Sequence, residues 1–102
     1  MDRNETIKKI KDALKRRSGK SWSVTGGRGT AYGWITISAP PSRCVDGWRI
    51  SEEDRKELAA LLGKESVHHQ GESIPSANDY YQEYIDRAEG RTPSRIGKPY
   101  WD

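Results

Sequence analysis

The sequence predicts an α+β domain with an N-terminal helix, an antiparallel hairpin, two C-terminal helices and an extended tail. Three observations predict it. Apolar residues recur at helical spacing in three separate stretches. Two short segments of strict alternation flank the glycine-rich residues 26–29. Proline and glycine then separate these stretches from one another.

The first helix is expected over residues 5–17. Ile7, Ile10 and Leu14 fall at i, i+3 and i+7, so one narrow apolar stripe faces a core while the lysines face water. Asn4 is the expected N-cap and Gly19 the expected left-handed C-cap. Lys15, Arg16 and Arg17 occupy the last turn, where the negative end of the helix dipole favours cations.

Residues 21–25 and 30–38 read as the two arms of a hairpin. Trp22 and Val24 share one face of the first; Tyr32, Trp34 and Thr36 share one face of the second, with Ile35 and Ile37 on the other. Gly33 within the second arm marks a bulge or a close backbone approach. Pro40 and Pro41 end the ladder, because proline has no N–H to donate. A two-stranded sheet is marginal alone, so a third strand is expected within residues 42–50, around Trp48 and Ile50.

Ser51 caps a second helix that carries Glu52, Glu53 and Asp54 at its positive end, buries Leu58, Ala59, Leu61 and Leu62, and stops at Gly63. Ser76 is the expected start of a third helix, running to Glu89 and closed by Gly90; Tyr80, Tyr84 and Ala88 form one stripe, Tyr81 and Ile85 the next. Residues 1–90 thus make one domain and residues 91–102, with Pro93 and Pro99, an extended tail that Tyr100 and Trp101 can dock.

The chain has 102 residues, of which 32% are apolar; it contains no Phe but 4 Trp and 5 Tyr, so its core must be small and built around large rings. No apolar run approaches the ~18 residues of a membrane helix, and no signal-peptide stretch opens the chain. The single cysteine, Cys44, excludes an internal disulfide and fits a reducing, cytoplasmic setting.

The net charge of +3 conceals an asymmetry. Residues 1–43 carry ten basic and three acidic side chains, whereas residues 44–90 carry five basic and eleven acidic. Either the basic half presents a surface to a polyanion or the two halves neutralise one another. On the first alternative, Lys8, Lys11, Lys15, Arg16, Arg17, Lys20 and Arg28 meet phosphates, with Tyr32 or Trp22 as stacking groups for bases. A glycine-rich turn at residues 26–30 also offers N–H groups to an anion, although a hairpin needs glycine there anyway.

Other chemistry is weakly marked. Residues 18–21, Ser-Gly-Lys-Ser, lack the earlier glycine of a phosphate-binding loop, since Leu14 holds that position on a helix. His68, His69 and Glu72 are the only candidate metal ligands, and no third histidine completes them. Nothing around Cys44 marks it as a nucleophile: Arg43 and Asp46 oppose each other in their effect on a thiolate. The expectation is therefore a small accessory domain without enzymatic activity or cofactor, binding nucleic acid through its basic helix and hairpin face. The alternative is a protein–protein interaction module using the acidic helices or Tyr80, Tyr81 and Tyr84.

Residues 7–17, Ile-Lys-Lys-Ile-Lys-Asp-Ala-Leu-Lys-Arg-Arg, followed by Lys-Ser-Trp-Ser-Val-Thr at 20–25 and Gly-Trp-Ile-Thr-Ile-Ser at 33–38, resemble a large-polyvalent-protein-associated domain of mobile genetic elements. Trp22 stands where that pattern has Phe, and Ala39-Pro40-Pro41 stands where it has Asp-Gly-Pro. The resemblance covers residues 7–38, about a third of the chain. It implies no activity, but a plasmid or phage context and a nucleic-acid or host-protein partner. Residues 68–102 resemble a tail found in small bacterial proteins of undetermined activity.

Overall fold

The computed structural model describes residues 2–98. Two helices, α1 (Arg3–Ser18) and α3 (Asn78–Ala88), pack against a three-stranded antiparallel sheet of order β1 (Ser23–Gly26), β2 (Ile35–Ser38), β3 (Glu72–Ile74), and α2 (Glu52–Leu62) packs on α1 and α3. The expected α+β class and the order of helix, hairpin and two helices are what the chain adopts.

The register explains the two layers. Val24 pairs with Ile37, Gly26 with Ile35 and Ile35 with Ile74, so the apolar side chains of all three strands fall on one face. Val24, Ile35, Ile37 and Ile74 are buried there against Ile10 and Leu14 of α1 and Ile85 of α3. Thr25, Thr36 and Ser73 form a cross-strand row on the other, solvated face. This half-buried pattern is the usual solution for an antiparallel sheet covered on one side.

Local chemistry moves several boundaries. α1 begins earlier than expected because Asp2, not Asn4, is its N-cap: the Asp2 carboxylate accepts from the Asn4 N–H at 3.1 Å. The hairpin arms are shorter than their alternation predicts. After Gly27, whose N–H donates to Trp34 O at 2.7 Å, the chain enters a single 3-10 turn at Gly29–Ala31, which takes Tyr32 out of the ladder. Gly33 is a close approach, since any Cβ there would overlap Ser76 Oγ. Ser76 is thereby used against the hairpin loop, and α3 starts from Ala77 without a side-chain cap.

The third strand is not within residues 42–50. It is β3, and residues 42–50 instead contain a 3-10 turn at Pro41–Arg43 and a bridge between Val45 and Arg49. The turn between the bridged residues is Asp46-Gly47, with φ of 56° and 80° at the two positions, the pair of positive values a type I′ turn requires.

The tail follows α3. Ser94 donates to Asp86 from both its N–H and its hydroxyl at 2.9 Å, Arg91 reaches the same carboxylate at 2.7 Å, and the Gly97 N–H donates to Glu83 at 2.8 Å. The docking roles expected of Tyr100 and Trp101 lie outside the described residues.

Candidate nucleic-acid interface

The helical repeat of α1 sorts its cations by direction. Lys8, Lys11 and Lys15 share the solvent side, with Lys9 and Arg16 on the flank nearer α3. Lys8 pairs with Asp12 at 3.2 Å and Lys9 with Glu5 at 3.4 Å. These pairs join exposed side chains four residues apart and contribute only a few tenths of a kcal/mol, roughly. Lys11, Lys15 and Arg16 are exposed and have no carboxylate partner among the described residues, and the same holds for Arg28 in the hairpin loop.

Three predicted contact residues do other work. Arg17, though exposed, lies across the ends of α2 and α3 and donates to the carbonyls of Leu61 at 2.8 Å, Arg87 at 3.2 Å and Ala88 at 2.7 Å. Lys20 lies 2.6 Å from Glu57 and 3.3 Å from Asp54, and hydrogen bonding to these carboxylates, Glu57 first, raises its pKa. Trp22 is a core residue at 1% exposure; its Nε1–H donates to Ser18 Oγ at 2.9 Å and the Arg43 guanidinium caps its ring. A ring so placed cannot stack on a base, which removes Trp22 from the interface. With no Phe in the chain, Trp22 supplies ring volume to the core together with Tyr81 and Tyr84.

Tyr32 remains at the surface, 58% exposed, but one of its faces is covered by Arg3, whose guanidinium carbon lies 3.8 Å from the ring centroid. The same guanidinium donates to Gly27 O at 3.0 Å and Tyr32 O at 2.8 Å. A Cβ at Gly26 would collide with it. The glycine-rich loop is thus wrapped around a cation from α1; Gly26 serves that close packing, and Gly27 serves the approach of the chain to the Ala31 carbonyl.

Four carboxylates of the acidic half are engaged internally, while others such as Glu53 and Glu65 stay exposed. Asp54 accepts from Lys20 and, at 2.9 Å, from Arg43; Glu83 and Asp86 hold Arg87 and the tail. Glu72 is turned toward α3, where it accepts from the Tyr84 hydroxyl and pairs with Lys64 at 2.8 Å. Burial, aided by this hydrogen bond to Glu72, pushes the Tyr84 phenol far above its ordinary value.

The orientation of Glu72 separates it from the histidines. His68 is exposed and accepts from the Gln70 N–H at 3.1 Å, and its ring lies 4.0 Å from that of His69. Among the described residues no group of three or more His, Cys, Asp or Glu side chains is placed to hold a metal ion. Cys44 is partly buried with its thiol 3.5 Å from the Ala39 carbonyl. Among the described residues no helix is long and apolar enough to cross a membrane.

Two residues were given no functional role by the sequence, although Trp48 was named within the expected third strand. Arg3 organises the hairpin loop, and no local signal marks it. Trp48, 52% exposed, projects from the Asp46-Gly47 turn; an Asp-Gly pair between Val45 and Trp48 is a hairpin signal. The rival surface changes too: Tyr81 and Tyr84 are buried at 5% and 4% exposure, and Tyr80 packs against the core. Tyr80, Tyr81 and Tyr84 thus form no fully exposed face.

No protein-family model, no curated protein and no solved structure matches the chain.

Proposed function

We propose that this chain is a non-enzymatic nucleic-acid-binding module whose α1 surface meets phosphates. Lys11, Lys15 and Arg16 are the principal contacts, with Lys8 and Arg28 beside them. One observation carries the proposal: these three cations stay exposed and unpaired while Asp54, Glu72, Glu83 and Asp86 are consumed by contacts elsewhere. Cations of this kind bind phosphates through counterion release, which is sensitive to salt and tolerant of sequence.

The test is fluorescence anisotropy with labelled DNA and RNA oligonucleotides across a salt series. The triple variant Lys11→Ala, Lys15→Ala, Arg16→Ala should lose affinity for every sequence, and its log–log salt slope should shrink by about 2–3. An unchanged affinity and slope in that variant would overturn the proposal, as would a parent protein that binds no oligonucleotide at low salt.

A further inference from the structure

We infer that Arg91, the first residue of the tail, is a positioning residue for the phosphate surface of α1: it occupies Glu89 and so leaves Arg16 free for a phosphate. The inference rests on the phosphate-binding reading above and names a residue of that same surface.

Arg16 lines a cleft of about 440 Å³ between α1 and α3, with Lys9 and Asp12 on the α1 side and Glu89 and Arg91 on the other. Asp12 is taken by Lys8 at 3.2 Å. Glu89 is the carboxylate of the opposite wall, half-buried, and among the described residues it forms no ion pair with Lys9 or Arg16. Arg91 accounts for that. Its Nη1 lies 2.9 Å from Glu89 Oε2 and its Nη2 lies 3.3 Å from Glu89 Oε1, so one guanidinium engages both oxygens. The planar fork of arginine matches a carboxylate in this way, whereas a lysine offers only a point charge.

The backbone brings Arg91 to this place. The chain turns at Gly90, with φ of 81°, and the Arg91 N–H closes on Asp86 O at 2.9 Å. Arg91 Nη2 also donates to Asp86 Oδ1 at 2.7 Å, while Ser94 occupies Oδ2 of the same carboxylate and Glu83 holds the Gly97 N–H. The tail is thus strapped along α3 with Arg91 at the cleft. With Arg91 in place, three cations and two carboxylates line the cleft; without it the count is two of each, and Glu89 is left to compete with a phosphate for Lys9 and Arg16.

The experiment measures the anisotropy of the same labelled oligonucleotides at low salt with the parent, Arg91→Ala, Arg91→Lys, Glu89→Gln, the double variant Arg91→Ala, Glu89→Gln, and the α1 triple variant. Arg91→Ala should bind about three- to fivefold more weakly than the parent, and Arg91→Lys should keep most of the affinity because the charge remains. Glu89→Gln should restore most of the loss in the Arg91→Ala background and have a smaller effect in the parent. A tail merely loosened by Arg91→Ala would not be rescued in this way. Binding by Arg91→Ala as tight as the parent's, an equal loss in Arg91→Lys, or a loss that Glu89→Gln leaves in place overturns the inference. The α1 reading then still stands provided that the triple variant loses binding. A parent that binds no oligonucleotide overturns both.

Discussion

Arg17 Nη1 lies 2.7 Å from the carbonyl oxygen of Ala88 and joins the last turn of α1 to the last turn of α3. It also reaches Leu61 O at the end of α2. Carbonyls in a final turn lack helical partners, and a charged donor supplies what the helix cannot. Removing it leaves them to water or without a partner. Arg17→Ala should therefore cost about 1–2 kcal/mol in urea unfolding, whereas Arg16→Ala, one position earlier and bonded to none of these carbonyls, should stay within about 0.5 kcal/mol. Equal losses would refute the bridging role of Arg17.

Asp54 joins the two halves of the charge distribution. Its side chain, 6% exposed, receives Lys20 and Arg43 on separate oxygens. Arg43 Nη2 is already buried without a hydrogen-bond partner, so loss of the carboxylate leaves that guanidinium with still less compensation. Asp54→Ala should lower stability by about 2–3 kcal/mol, and Glu57→Ala, at the more exposed end of the Lys20 bridge, by less than about 1. Urea midpoints of the two variants decide between them.

The contrast between Arg16 and Arg17 shows what local sequence carries. Both are arginines in a basic last turn, yet Arg17 continues the stripe of Ile10 and Leu14 at helical spacing, a signal that composition hides. α1 and α2 were legible because their ends are marked by single residues: Gly19 and Gly63 do adopt left-handed φ of 74° and 66°. β3 was not, because Glu72-Ser73-Ile74 is too short for alternation to register. It exists through pairing with Thr36 and Ile37, which are distant in sequence. The acidic cluster was legible as charge, but the destination of each carboxylate was not, since Asp54 meets Lys20 and Arg43 only after α2 packs and Asp86 meets Arg91 and Ser94 only once the tail folds back on α3.

Asp86 makes acid stability testable. Burial by itself pushes the carboxyl up, but the Ser94 N–H, Arg91, the Ser94 hydroxyl and Gln82 together outweigh that and hold it well below the usual carboxylate range. A depressed folded pKa stabilises the protein above the unfolded value of about 4, and that contribution is lost as pH falls further. Asp86→Asn should flatten the fall in stability below about pH 4, and should also release the tail, seen as lost exchange protection at the Ser94 amide. A pH profile identical to that of the parent would contradict the assignment.

Tyr84 makes the complementary test in alkali. Its raised phenol favours the folded state while the unfolded tyrosine stays protonated, up to about pH 10. Above that, ionisation in the unfolded chain draws the protein open, so stability falls as pH rises. Tyr84→Phe should be less stable than the parent at neutral pH by about 1–2 kcal/mol, because Glu72 loses a donor, yet its stability should decline less steeply above about pH 10. Parallel declines in the two proteins would exclude Tyr84 as the responsible group.

Gly71 controls whether the third strand can form. It has φ of 113°, and a Cβ at this position would stand 2.3 Å from the carbonyl oxygen of Ile37 in β2. That atom is main chain and cannot swing aside, so alanine must push β3 off β2 or distort both. Gly29 provides the control: its φ of 60° is also left-handed, but a Cβ there meets nothing within 4 Å. Gly29→Ala should cost about 1 kcal/mol from backbone conformation alone, and Gly71→Ala about 3 kcal/mol or more. In a domain of this size each kcal/mol lowers Tm by about 4–8 °C, so the two melting curves should separate clearly. Coincident curves would mean that left-handed backbone strain, rather than the Ile37 carbonyl, sets the requirement for glycine.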